Sequence, residues 1–217
     1  MKKILIAAVF AVIGFSACKK RTADVSTLYT YSVPTIIISG DQYYSIPVGG
    51  ALPSITATAY DSFYHESYSV LLDQSTVDNT TPGLYVVTAT AKNKYGMASS
   101  KSVYLAVTDI SAAINLAGTY ERTSNGVAVN VYRLANGLYM TDNVGGVANT
   151  PANASFILPA FFVQTTETEI KLPAQPTAQG ILYGTEAAVN MAPADTTFEY
   201  AIQNAAFGTA VRTFKKI

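Results

Sequence analysis

The run Pro82-Gly83-Leu84-Tyr85-Val86-Val87-Thr88-Ala89-Thr90-Ala91 alternates with a period of two: Tyr85, Val87, Ala89 and Ala91 share one face, and Thr88 and Thr90 take the other. One apolar and one hydroxyl-bearing face make a β-strand that packs on one side only. The same period recurs on both flanks, in short runs bounded by Gly, Pro, Asn and Asp. Strands are predicted over 35–39, 43–48, 54–60, 67–72, 84–93 and 99–107. In the third of these, Ile55, Ala57 and Ala59 lie on one face, and Thr56, Thr58 and Tyr60 on the other. One-sided burial of this kind belongs to antiparallel sheets packed as a sandwich. Asp41-Gln42 and Asn93-Lys94-Tyr95-Gly96 supply turns, and no helix of useful length intervenes. Residues 34–108 therefore read as a β-sandwich of about seven strands.

A seam is expected at Thr108-Asp109-Ile110-Ser111, with one helical turn over 112–116 as a connector. Beyond it, strands are predicted over 118–123, 127–134, 138–142, 156–163, 167–172, 180–183, 187–191, 197–203 and 209–214. Ser-Asn-Gly and Ala-Asn-Gly separate the first three, and Asn-Gly between alternating runs is the strongest short hairpin signal. The loop 143–155 is Gly/Ala/Asn-rich, uncharged and longer than the usual connection, the mark of a functional or a mobile loop. Residues 109–217 thus read as a second antiparallel β-domain, a meander closing into a small barrel or a sandwich. No internal repeat relates the two halves.

Composition narrows the function. A hydrophobic fraction of 49% supplies a packed core, and the single cysteine excludes an intrachain disulfide, so packing and strand pairing must hold the fold. The formal charge of zero hides an uneven layout. Setting aside Lys2, Lys3, Lys19, Lys20, Arg21, Asp24, Lys215 and Lys216 leaves seven basic side chains against thirteen acidic ones, a balance of −6. That balance argues against nucleic acid, whose phosphates need clustered positive charge.

Residues 1–17 have the layout of a secretory signal peptide: Lys2 and Lys3, an apolar run over 4–15, then small residues. The run is shorter than the ~20 residues that span a bilayer as a helix. Gly14-Phe15-Ser16-Ala17-Cys18 resembles the bacterial lipobox, with Phe15 where that motif usually has leucine. The resemblance implies cleavage before Cys18, a diacylglycerol on its thiol and an acyl chain on the freed amine, hence a membrane partner reached through lipid. Two or more chains anchor stably where one does not. Residues 18–33 read as a tether whose Lys19-Lys20-Arg21 either touches anionic headgroups or is simply solvated.

Two wider resemblances follow. Pro82-Gly83-Leu84-Tyr85-Val86-Val87, Gly96 and Val103-Tyr104-Leu105-Ala106-Val107, with Gly49-Gly50 and Ile55–Asp61 before them, resemble the immunoglobulin-like repeats of bacterial surface proteins. Tyr85 matches the tyrosine-corner position, whose hydroxyl ties a loop to its sheet. With Phe198-Glu199-Tyr200 and Gly208-Thr209 through Phe214-Lys215-Lys216, the whole layout resembles a family of two-domain Bacteroidetes-type lipoproteins. That resemblance implies an outer-membrane accessory component encoded beside SusC/SusD-like uptake systems. An outer-membrane transporter complex and an oligosaccharide or peptide ligand are the implied partners. Which membrane face carries the protein stays open.

Chemistry-bearing residues are few. His65 is the sole histidine: a Ser–His–Asp unit would have to use it and no Gly-x-Ser-x-Gly motif is present, a zinc site would need more His or Cys ligands than the sequence has, and no Asp-x-Asp-x-Asp-Gly calcium loop is present. No cofactor or metal is expected, and no catalysis. Glu167 and Glu169, two apart on one predicted strand, would face the same way and could form a glycosidase pair. Asp61 and Asp109 could share an interdomain ion site, and Asp195-Thr196-Thr197 resembles a short O-glycosylation signal. The aromatics carry more weight. Tyr60, Phe63, Tyr64, His65 and Tyr68 crowd around a predicted loop and are the candidate ligand contacts, since sugar rings stack on such faces. Phe156, Phe161 and Phe162 are expected in the second core. The leading expectation is a non-enzymatic binding or scaffold lipoprotein; the alternatives are a structural envelope protein working through protein contacts and a glycoside hydrolase.

Overall fold

The computed structural model describes residues 32–193 and 195–217. Seven strands fill the first half: β1 (Thr35–Ser39), β2 (Tyr43–Ile46), β3 (Thr56–Asp61), β4 (Glu66–Tyr68), β5 (Val70–Asp73), β6 (Gly83–Lys92) and β7 (Ala98–Val107). They form two facing sheets, β1-β3-β4 and β2-β7-β6-β5. In β6 the residues Val87, Ala89 and Ala91 are buried, as the alternation requires, and Ala89 and Ala91 meet Ile36 and Ala59 of the opposite sheet. Two strands change sheet midway. The chain from β1 to β2 turns at Gly40, whose φ of +101° favours glycine, and β2 then runs parallel to β7. The predicted strand 67–72 is broken at Ser69 into β4 and β5, one in each sheet. The Tyr85 hydroxyl donates to the Thr81 carbonyl at 2.8 Å, so the tyrosine corner is present.

The second half contains β8 (Gly118–Arg122), β9 (Ala128–Ala135), β10 (Leu138–Thr141), β11 (Ala160–Gln164), β12 (Ile170–Lys171), β13 (Gln175–Thr177), β14 (Gly180–Asn190), β15 (Thr197–Gln203) and β16 (Val211–Lys216). Their order is β12-β11-β10-β9-β8-β16-β15-β14-β13, antiparallel throughout, with the first and last strands adjacent. The sheet curls until β12 reaches β14: Gly184 N–H donates to the Leu172 carbonyl at 2.8 Å and Val189 N–H to the Thr168 carbonyl at 3.0 Å. Of the two architectures open to the sequence, the structure takes the barrel.

Side chains fill that barrel. Tyr120, Tyr139, Phe162, Phe198, Tyr200 and Phe214 are fully buried, and Phe198 stacks on Phe214 with ring centres 4.8 Å apart. Buried hydroxyls find carbonyls: Tyr120 donates to Leu116 at 2.7 Å and Tyr200 to Val144 at 2.8 Å. Burial pushes both phenols well above their ordinary range. The loop expected to be functional or mobile is instead a plug at its start. Val144 is fully buried, Arg122 donates to the Gly145 carbonyl at 3.1 Å, and a 3-10 turn occupies Pro151–Phe156, so the strand predicted from 156 starts only at Ala160. A β-carbon at Gly146 (φ +53°) would lie 2.7 Å from Arg122 Cδ and 2.9 Å from Phe214 Cε1. Gly146→Ala is expected to cost about 3 kcal/mol in urea unfolding, strain and overpacking together. Gly208→Ala, at φ +67° with nothing within 4 Å, should cost only about 1 kcal/mol.

The two halves are packed against each other within one compact unit, 32–217. Ala106, Leu138 and Val163 are buried together, and Phe161 leaves the barrel core to stack on Tyr104 at 4.2 Å, with Tyr43 beside both. The Thr108 hydroxyl donates to the Gln164 carbonyl at 2.8 Å. No helical turn forms at 112–116; the N–H groups of Ile114 and Ala113 donate to the Ser111 carbonyl and hydroxyl at 3.0 and 3.3 Å, and Leu116 N–H donates to the Tyr139 hydroxyl at 3.2 Å.

Candidate functional site

Two surfaces gather chemistry. The first is a corner at one end of the sandwich, where the β3–β4 turn (62–65) meets the β6–β7 turn (93–97). Asp61 shapes it. This fully buried carboxylate accepts from the Ser32 hydroxyl at 2.7 Å, from the N–H groups of Phe63 and Tyr64 at 3.0 and 3.3 Å, and from Asn93 at 3.4 Å. Burial pushes the carboxyl up, but the bonds from Ser32, Tyr64, Asn93 and Phe63 together outweigh it and hold the group below its ordinary value. A depressed folded-state pKa stabilises the fold above the unfolded value, near 3.9, and that contribution is lost as pH falls through the folded value. Asp61→Asn should therefore lower the melting temperature at pH 7 and flatten the loss of stability that the native chain shows below about pH 4.

The turn that follows presents the aromatics. Phe63 is 53% exposed and meets Tyr64 edge-on at 5.0 Å; Tyr64 lies 4.8 Å from Tyr95. Lys94 stands over both tyrosine rings, at 5.6 and 5.4 Å, and pairs with Glu66 at 2.6 Å. Its hydrogen bond and that of Tyr68 hold the Glu66 carboxyl below its ordinary value. His65 closes the turn in the left-handed region (φ +54°), its Nδ1 3.3 Å from the Tyr60 hydroxyl. Of the five predicted contacts, Tyr60, Phe63, Tyr64 and His65 surround one turn, while Tyr68 packs on the Ile36–Ala59 core. Sequence reading missed Lys94 and Tyr95. They were legible as turn residues, but only the pairing of β6 with β7 brings that turn to the corner.

The second surface is an open cleft of about 610 Å³ between the halves. Gly83 to Tyr85 form one wall, Glu169 to Ala174 the floor, and Tyr183 to Ala187 the other wall. The predicted strands 180–183 and 187–191 are one strand, β14, with a bulge between Thr185 and Ala188 that puts Glu186 at φ +54°. The cleft therefore carries two aromatic residues, Tyr85 and Tyr183, and the polar groups of Glu169, Lys171, Thr185 and Glu186. Lys171 is fixed by donating to the Pro82 carbonyl at 3.0 Å.

Three expectations are corrected. Glu167 lies in an exposed bend because the strand predicted over 167–172 shrinks to Ile170–Lys171; Glu169 alone reaches the cleft, its carboxylate accepting from the Thr165 hydroxyl at 2.8 Å. Asp61 and Asp109 flank opposite ends of the ten-residue strand β7, roughly 30 Å apart, and Asp109 accepts from Val48 N–H at 2.9 Å. Thr196 is buried and donates to the Ala192 carbonyl at 3.2 Å, so the Asp195-Thr196-Thr197 signal is not displayed. Among the described residues, no group of His, Cys, Asp and Glu could hold a metal ion. The signal peptide, Cys18 and the tether up to residue 31 lie outside the described residues.

The residues and sheets define an all-β protein of a sandwich joined to a filled barrel. No family model matches the sequence, and no curated protein matches it. Among solved structures the chain is similar to the lipoprotein BT2262 from Bacteroides thetaiotaomicron, at 16% identity and a TM-score of 0.38, over 84% of this chain and 100% of that one. A likeness of that size transfers no function.

Proposed function

We propose that the protein is a lipid-anchored, non-enzymatic binding component of the outer membrane, which holds an oligosaccharide or peptide for an uptake complex. The anchoring rests on the lipobox-like Gly14-Phe15-Ser16-Ala17-Cys18. The observation that carries the binding is the cleft between the halves, since the described core of the barrel is packed with buried rings. Its volume of about 610 Å³ falls within the range of small-ligand sites. Tyr183 offers a half-exposed ring for stacking, and Glu169, Thr185 and Glu186 offer acceptors for sugar hydroxyls or peptide N–H groups.

A glycan and peptide array followed by calorimetry on residues 19–217 tests this. Tyr183→Ala is expected to weaken binding roughly tenfold, the usual worth of one stacked ring, and the substrate should be recovered uncleaved. Affinity unchanged by Tyr183→Ala would remove the cleft from the account. Turnover abolished by Glu169→Gln with Glu186→Gln would replace binding by hydrolysis.

A further inference from the structure

The aromatic corner has one property that the cleft lacks: the chain reaches the fold there. Ser32 is bound into it, its hydroxyl on Asp61 at 2.7 Å and its carbonyl accepting from Asn93 at 2.9 Å. Cys18 lies fourteen positions upstream of Ser32 (32 − 18). Fourteen residues reach at most about 50 Å when fully extended. A lipid on Cys18 therefore keeps this corner, where the chain enters the fold, within that reach of the bilayer. The cleft, at the far end of the ten-residue β6, stands roughly 30 Å further along.

The corner's exposed chemistry suits that position. Phe63 is 53% exposed, Tyr95 47% and Tyr60 44%, in and beside the two turns 62–65 and 93–97. Rings with a polar tip settle at the headgroup level of a bilayer, where the body of the ring is shielded and the hydroxyl stays wet. The acids beside them are compensated: Glu66 is paired with Lys94, and Asp61 is fully buried among its donors. Lys92, exposed next to the turn, adds a positive charge.

We infer that this corner rests on the lipid surface. Phe63 enters the boundary between headgroups and acyl chains, Tyr60, Tyr64 and Tyr95 lie among the headgroups, and the barrel with its cleft is held outward. The inference rests on the lipid anchoring of Cys18 and adds the orientation of the fold to it.

The sequence contains no tryptophan, so Phe63→Trp and Tyr183→Trp each introduce one reporter. Each lipidated full chain is placed in vesicles of phosphatidylethanolamine and phosphatidylglycerol. The emission of Trp at 63 is expected to shift to the blue, and brominated acyl chains should quench it by roughly twofold or more, as for a ring at the acyl boundary. Trp at 183 should keep its water-exposed emission and escape quenching. A spectrum at 63 that ignores the lipid, or equal quenching at both positions, overturns the inference. Should the chain prove to carry no lipid, the anchoring falls separately, and the same Phe63→Trp protein is titrated with the same vesicles. A saturable blue shift then sustains the corner's lipid contact, and its absence overturns it.

Discussion

Phe198→Ala is expected to lower the stability of the protein by about 3–5 kcal/mol, the range for deleting a fully buried aromatic ring. The position earns so large an effect because four rings depend on it. Tyr120 and Phe214 lie 4.8 Å from Phe198, and Phe162 and Tyr200 lie 5.8 Å away, all inside the barrel and all fully buried. None can collapse into the hole without leaving its strand, since β8, β11, β15 and β16 are fixed by pairing on both sides. For a chain of this length the loss corresponds to roughly 10 °C in melting temperature, readable by circular dichroism or calorimetry. Phe63→Ala, on the exposed corner, should stay within about 0.5 kcal/mol of the native chain. A small effect at Phe198 would mean that the barrel is not the packed body described above.

Cys18→Ser is expected to release the protein from the membrane fraction almost completely. Each buried methylene contributes ~0.8 kcal/mol, so losing two or more acyl chains removes far more than the few basic residues after position 18 could supply. Fractionation of cells expressing the native and variant chains reads this directly. The native chain should pellet with membranes and resist high salt, whereas the variant should appear in the soluble fraction. A variant that still pellets would put membrane attachment elsewhere in the chain.

Much of the fold was legible because period-two alternation reports burial directly. Val87, Ala89 and Ala91 face inward as their spacing demands, and Ile55 and Ala59 do likewise. The Asn136-Gly137 hairpin forms where the dipeptide stands, with Gly137 at φ +66°. What failed to show in the sequence depends on contacts between distant segments. Ser69 breaks a strand because the chain must cross from one sheet to the other, and no local residue signals it. Phe161 and Phe162 are chemically alike, yet the pleat sends one to the seam and the other into the barrel. Half of the site was legible in the same sense. Tyr60 to His65 surround a turn as their crowding suggested, but the partners Lys94 and Tyr95 and the cleft residues Tyr183 and Glu186 arrive by pairing and by a bulge.

The proposed anchoring, and the orientation of the fold inferred from it, rest on a lipid at one thiol. Mass spectrometry of the N-terminal peptide from protein extracted out of its own membrane tests that most directly. The expected mature chain begins at Cys18, with a diacylglyceryl thioether on the sulfur and an acyl chain on the amine. A leader still attached, or an unmodified Cys18, would contradict it.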